Sequence, residues 1–111
     1  MSVSFVNALQ VPTGQEARFL LMWERGATYV SQQPGFIWTT LHRNMAANGL
    51  YQYYTVACWE SQSAFQAATS TDWWKTYVQE FGFRDPESGL RAVPAVCEVV
   101  SESTRVFRRN P

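Results

Sequence analysis

The chain has 111 residues, nine Lys+Arg against nine Asp+Glu, and a formal net charge of zero. A chain of this length buries about two thirds of its unfolded surface, enough for a core without staples, and without a basic stripe no nucleic-acid partner is expected. Charged residues make up 16% and aromatic residues 15%, which excludes a disordered chain and leaves more ring mass than a small core needs. Ser2 to Val11 alternates, with Val3, Phe5, Asn7, Leu9 and Val11 on one face and Ser4, Val6, Ala8 and Gln10 on the other, and reads as a strand ended by Pro12. Thr13 and Glu16 form a capping box that predicts a helix start. Phe19, Leu20, Trp23, Ala27 and Val30 then fall within ~100° of that helix as a core-facing stripe, and Pro34-Gly35 stops it. Phe36 to Arg43 is a second strand. Asn48-Gly49 marks a turn, and Leu50 to Trp59 is a third strand. Ser61 caps a short helix over Gln62 to Ala68, and Thr71 or Asp72 caps another through Phe81. There Trp73, Trp74, Tyr77, Val78 and Phe81 cover ~140°, with Lys75 on the opposite side. Gly82 ends that helix, and Ala92 to Ser101 is a fourth strand.

The order βαββααβ predicts an α+β fold, an antiparallel sheet with helices on one face. No repeat or linker divides it, so residues 1–111 read as a single domain, with a core over about 3–101 and a tail over 102–111 that carries Arg105, Arg108 and Arg109. Both faces of the strands are apolar: Val6 and Ala8 oppose Phe5 and Leu9, while Tyr54, Val56 and Cys58 oppose Tyr53, Ala57 and Trp59. Helices cover only one face, and soluble monomers rarely expose so large an apolar patch, so a two-fold homodimer is expected. No leader-like run opens the chain, and no apolar stretch approaches the ~18 residues of a membrane span. A cytoplasmic protein without membrane partners is therefore expected. Cys58 and Cys97 read as buried reduced thiols. With one histidine and no CxxC, no metal cluster is expected.

Phe5-Val6-Asn7 on the first strand, Pro34-Gly35-Phe36 entering the second, Leu41-His42-Arg43 leaving it, and Trp59-Glu60-Ser61 with Ala64-Phe65 after the third resemble the antibiotic biosynthesis monooxygenase family of the dimeric α+β barrel superfamily. The resemblance spans about residues 3–101. It implies a ferredoxin-like subunit, sheet-to-sheet pairing into a barrel, and a pocket between sheet and helices. Similar members oxidise aromatic polyketide intermediates, chiefly anthrones to quinones, with O₂ and neither metal nor flavin. Others oxidise quinols, degrade haem, or have no assigned reaction. In the anthrone-oxygenating members a first-strand Asn, a third-strand Asn and a Trp four residues later line the pocket. Asn7 and Trp59 match the first and last, but the middle position is Thr55. Some members place a Tyr six residues after the Trp, where this chain has Phe65. The Trp and His positions of haem-degrading members fall on Ala68 and Val78, which leaves that reading without its ligand.

Alternation places Asn7 with Phe5 and Leu9, and Trp59 with Ala57, Thr55 and Tyr53. An unpaired buried amide costs roughly 1–3 kcal/mol, so Asn7 either bonds backbone or water, or it is aimed at a substrate oxygen. An anthrone needs only proton loss to become electron-rich enough to reduce O₂, so Asn7, Trp59 and Thr55 are the expected catalytic donors to its oxyanion. Tyr53, Phe65, Trp73, Trp74, Tyr77, Leu20 and Trp23 are the expected substrate contacts, and zero net charge suggests a flat neutral ligand. The base is open: Tyr53, Tyr77 or His42 are candidates, with His42 the possible proton shuttle and its alternative a solvent-facing role. The expected function is a cofactor-independent monooxygenase forming a quinone. The alternatives are a non-oxidative cyclase or binding protein for a similar ligand, or a flavin- or haem-dependent relative.

Overall fold

The computed structural model describes residues 2–103, so the tail arginines lie outside the described residues. The elements are β1 (Val3–Gln10), α1 (Glu16–Val30), β2 (Phe36–Arg43), β3 (Tyr53–Trp59), α2 (Gln62–Thr69), α3 (Asp72–Phe81) and β4 (Arg91–Glu98). The strands form one sheet in the order β2-β3-β1-β4, and every neighbouring pair is antiparallel. This is the βαββααβ, ferredoxin-like α+β architecture.

Local chemistry explains the element ends. Ser61 Oγ accepts from the Ala64 amide at the start of α2, and Thr71 Oγ1 accepts from the Trp74 amide at the start of α3; each satisfies a backbone donor that lacks a helical partner. Gly82, at φ 96°, closes α3 in the left-handed conformation. The expected Thr13 cap does not form. Gln15 N–H instead bonds the Pro12 carbonyl at 3.1 Å, and Gly14 takes φ 90°. That is the arrangement of a tight turn needing positive φ at its third residue, with Thr13 as its second. The helix therefore starts at Glu16, whose carboxylate reaches back to the Gly14 amide at 2.9 Å. The third strand begins at Tyr53 rather than Leu50 because Gln52 belongs to the loop: its Oε1 accepts from Val11 N–H at 2.7 Å and its Nε2 donates to Gly49 O.

Register sorts the side chains. Asn7 lies opposite Thr55 and Pro94, and Leu41 also lies opposite Thr55, so these residues share the helix-covered face. Val6, Val56, Ala95 and Thr40 form the equivalent row on the open face. On that face Val6 is 36%, Trp38 45% and Val93 55% exposed. Under the helices the core has two clusters. One joins Leu9, Phe19, Tyr53, Tyr77, Phe81 and Leu90. The other joins Val30, Ala57, Trp59 and Ala68. Trp59 is held edge-on by Phe36 and Phe65, with ring centroids at 5.3 and 5.9 Å.

Helices α1 and α3 meet at Gly26. A Cβ there would stand 2.3 Å from the Tyr77 hydroxyl and 2.7 Å from its ring, so the absent side chain is what lets the phenol in. Gly26→Ala improves helix propensity by roughly 0.5–1 kcal/mol but overpacks this contact at a cost of typically 1–3 kcal/mol. We expect a net loss, read as a melting temperature lower by several degrees; a higher one would mean that propensity outweighs the clash.

Candidate active site

Between the two clusters the helix-facing side of the sheet changes character. On β1 the sequence runs Phe5, Asn7, Leu9, and on β3 it runs Tyr53, Thr55, Ala57, so a polar pair crosses an apolar layer at Asn7 and Thr55. A cavity of about 720 Å³ occupies this place, walled by the sheet, α1 and α3. Such a volume and an apolar wall with few polar groups suit a small organic ligand.

The polar groups are individually placed. Trp23 Nε1–H donates to Thr55 Oγ1 at 3.0 Å, and Thr55 is 8% exposed. A hydroxyl has one proton and two acceptor sites, so this bond leaves the Thr55 proton free to donate. Asn7 Oδ1 is buried and has no hydrogen-bond partner among the described residues. Leaving a buried acceptor unpaired costs about 1–3 kcal/mol, which a ligand hydroxyl would return.

Asn7, Thr55, Trp59, Trp23, Phe65, Trp74 and Tyr77 all line the cavity. The other expected residues do not. Tyr53 is packed in the core with its ring 4.7 Å from that of Phe19, and Leu20 packs against the same cluster. Trp73 lies on the far edge of α3, stacked on Tyr29 at 4.0 Å and 4° in a separate shallow groove with Arg25. His42 pairs across the ladder with Tyr54, on the face away from the cavity, where its Nε2 lies 2.8 Å from Thr40 Oγ1.

Tyr77 hydroxyl donates to the Met22 carbonyl. Burial pushes its pKa well above the ordinary 10.0, with the Arg25 guanidinium and the Gly26 backbone amide pulling weakly the other way. The phenol is thus held protonated, a poor base at neutral pH.

Sequence reading missed several lining residues. Thr39, Thr69 and Gly26 face the cavity, and so do Lys75 and Arg84. For Gly26 a signal existed, since an interior helical glycine implies close approach. Lys75 lies ~60° past the edge of the apolar stripe of α3, and nothing local indicates that the cavity extends that far. Among the described residues no cluster of three or more His, Cys, Asp or Glu could hold a metal, and no helix is long and apolar enough to cross a membrane.

An antiparallel β2-β3-β1-β4 sheet with helices over one face and an apolar cavity between the layers defines a ferredoxin-like α+β protein. Residues 2–80 match the family model for antibiotic biosynthesis monooxygenase, and the chain belongs to that family. Three solved structures illustrate the likeness. A candidate monooxygenase from Shewanella loihica is 27% identical, with 91% of this chain and 96% of that chain covered and a TM-score of 0.69. SnoaB, a cofactor-independent oxygenase from Streptomyces nogalater, is 23% identical, with 91% and 95% covered and a TM-score of 0.75, and shows the shared fold. The haem-degrader MhuD from Mycobacterium tuberculosis, with two haems in its active site, is 28% identical, with 92% and 99% covered and a TM-score of 0.64. No curated protein sequence matches the chain.

The raised Tyr77 pKa sets an alkaline dependence. Its folded state favours the neutral phenol, so the associated stability is fully present below pH 10.0 and is lost as pH rises beyond it. Chemical denaturation should show wild type losing more stability than Tyr77→Phe between about pH 9 and pH 11. At neutral pH the variant should be weaker by about 1 kcal/mol for the lost Met22 bond. Parallel losses above pH 9 would contradict a buried phenol.

Proposed function

We propose that the protein is a cofactor-independent monooxygenase that oxidises a hydroxylated polycyclic aromatic substrate of the anthrone type to a quinone. The observation that carries this reading is the unpartnered Asn7 Oδ1, buried beside the Trp23-oriented Thr55 hydroxyl in an aromatic cavity. A phenolic hydroxyl of the substrate donates to Asn7 Oδ1. The Thr55 hydroxyl, the Asn7 amide N–H and the Trp59 indole N–H are the donors available to the substrate carbonyl oxygen. As the methylene between the rings loses a proton, negative charge moves onto that oxygen, and neutral donors placed beforehand stabilise it; each can be worth ~2.7–4 kcal/mol in the transition state. The resulting anion passes one electron to O₂ and couples with the superoxide formed. Loss of water from the hydroperoxide leaves a carbonyl in place of the methylene. Overall, one CH₂ and one O₂ become one C=O and one H₂O.

Among the described residues no carboxylate lines the cavity, and Tyr77 is held protonated. The proton therefore leaves to solvent through the cavity mouth, and the protein lowers the cost of the anion instead of supplying a strong base. Thr55, where related oxygenases resemble one another in carrying Asn, keeps a donor at that position because Trp23 occupies its acceptor side. Haem fits the cavity poorly. Iron is held by His, Cys, Met or Tyr; the cavity lining has no His, Cys or Met, and its Tyr77 hydroxyl is committed to Met22.

Oxygen uptake with dithranol, in chelator and without added flavin, tests the reaction. We expect wild type to exceed the autoxidation rate and Asn7→Ala to lose roughly a hundredfold to a thousandfold in kcat/KM, the range for losing one oxyanion donor. Wild type at the autoxidation rate, or product formed equally without O₂, would overturn the reading, the second in favour of a non-oxidative cyclase.

The open sheet face supports a further part of the proposal, that two copies pair through it as a homodimer. Light scattering at micromolar protein should give about twice 12.7 kDa, and a Val6→Glu/Val93→Glu double variant should give the monomer mass. A wild-type monomer would refute it.

A further inference from the structure

The tryptophans that line the cavity have different neighbours. Trp59 is edged by Phe36 and Phe65, with ring centroids at 5.3 and 5.9 Å. Trp74 instead touches rings that give up electrons. Its centroid lies 5.1 Å from that of Tyr77, 5.8 Å from Tyr29 and 6.4 Å from Trp73. Trp73 in turn stacks on Tyr29 at 4.0 Å and on Tyr77 at 5.2 Å, and it is 38% exposed. A continuous run of indole and phenol rings therefore joins the cavity wall at Trp74 to the outer groove beside Arg25.

Electron tunnelling falls off steeply with distance, so rings in contact exchange an electron readily. Indole and phenol are far easier to oxidise than a phenylalanine ring. An oxidised Trp59 is thus hemmed in by phenylalanine, whereas an oxidised Trp74 can be refilled from outside. Proton release decides where the radical comes to rest. A phenol gives up its electron for good only if its proton leaves as well. The Tyr77 hydroxyl donates to the Met22 carbonyl, and the Tyr29 hydroxyl faces the Ala68 carbonyl and Thr71 Oγ1. None of these acceptors is a base, so both phenols relay an electron without keeping the radical. Trp73 meets water and can lose its indole proton there. The Arg25 guanidinium, 5.7 Å from the Trp73 ring centroid, opposes a radical cation on that ring and favours the neutral, deprotonated radical.

We infer that Trp74, Tyr29, Tyr77 and Trp73 form an electron path that drains oxidising equivalents from the cavity to the surface. Its use in the protein rests on the oxygenase reading; the path itself does not. The oxidants are the alkoxyl and hydroxyl radicals formed when the O–O bond of the substrate hydroperoxide breaks homolytically instead of losing water. Each radical takes one electron through Trp74 and one proton from water, giving an alcohol and water. Each time Trp73 supplies the electron and releases its proton to water. A soluble thiol then returns a hydrogen atom to the indolyl radical, and two thiyl radicals pair as a disulfide.

The test injects the oxidant by light. 2-(Hydroxymethyl)anthraquinone is a neutral tricycle whose excited state takes one electron from an indole and becomes a semiquinone. With the quinone substoichiometric and illuminated in air, peptide mass spectrometry should find oxidised indole chiefly at Trp73. Trp73→Phe should shift the oxidation inward to Trp74. Trp74→Phe should lower it at Trp73, although Trp73 is then no less exposed. Glutathione should suppress the damage more in wild type than in Trp73→Phe. Equal oxidation of Trp73 in wild type and Trp74→Phe would mean direct attack from solvent and would overturn the inference. So would wild-type oxidation confined to Trp59 or Trp74. Neither result bears on dithranol oxidation, which needs no light. A quinone that leaves tryptophan fluorescence unquenched, and so does not bind, would overturn both the cavity reading and the inference.

Discussion

One hydrogen bond, from the Trp23 indole to Thr55 Oγ1, sets the character of the interior. It satisfies a hydroxyl in the middle of a layer that is otherwise apolar, and so permits a polar pair, Asn7 and Thr55, between two separate hydrophobic clusters. Without it, Thr55 would be a buried orphan beside an amide whose oxygen already has no partner among the described residues. Replacing that pair with aliphatic side chains would let the clusters merge and the cavity fill, because interiors close-pack wherever nothing prevents it. The indole also occupies the acceptor side of Thr55, and so determines which way its remaining proton can go. The same bond thus keeps the cavity polar at its centre and sets its donor.

The surplus of rings has several destinations. Phe19, Tyr53 and Phe81 build one cluster, and Trp59, clamped edge-on by Phe36 and Phe65, builds the other. Tyr77 joins the first cluster only because Gly26 has no side chain, and its hydroxyl is then tied to Met22. Trp38 and Tyr54 stand on the open sheet face, which no helix covers. Trp73 and Tyr29 stack outside the cavity altogether. A count of rings measures none of these separately: core, pocket wall, sheet face and surface stack draw on the same residue types.

This is also why the sequence was informative about some parts and silent about others. Strand faces follow from parity, since adjacent residues point to opposite sides; parity put Thr55 and Trp59 on one face of the third strand, and the family resemblance joined Asn7 to them. Helix starts at Ser61 and Thr71 followed from cap chemistry. Thr13 misled because Gly14 supplies a positive φ that makes the preceding residue part of a turn, and that competition is decided by backbone geometry rather than by the capping pattern. Leu20 and Tyr53 were on the correct face, but depth along that face depends on how α1 lies over the sheet. Trp73 and Lys75 were interchanged for a related reason. The apolar stripe of α3 is wide, and its rotation against β4 decides which flank borders the cavity. His42 stood near matching residues in sequence, yet the β2–β3 register turns it to the other face.

The distribution of charge and acidity within the cavity limits the chemistry more than its shape does. A site that abstracts protons with a resident base most often uses an imidazole or a carboxylate within reach. Here the lining has neither, and the phenol that is present is kept neutral by burial. What remains is a set of neutral donors at the centre and two cations at the rim. Both favour a ligand that becomes more negative inside the cavity than it was in water. For the proposed reaction, such a site would serve substrates whose C–H bond is already acidified by flanking rings and a carbonyl, so that stabilising the conjugate anion suffices. Saturated or weakly acidic substrates would gain nothing from it. The specificity of the site follows from what it lacks as much as from Asn7, Thr55 and Trp59.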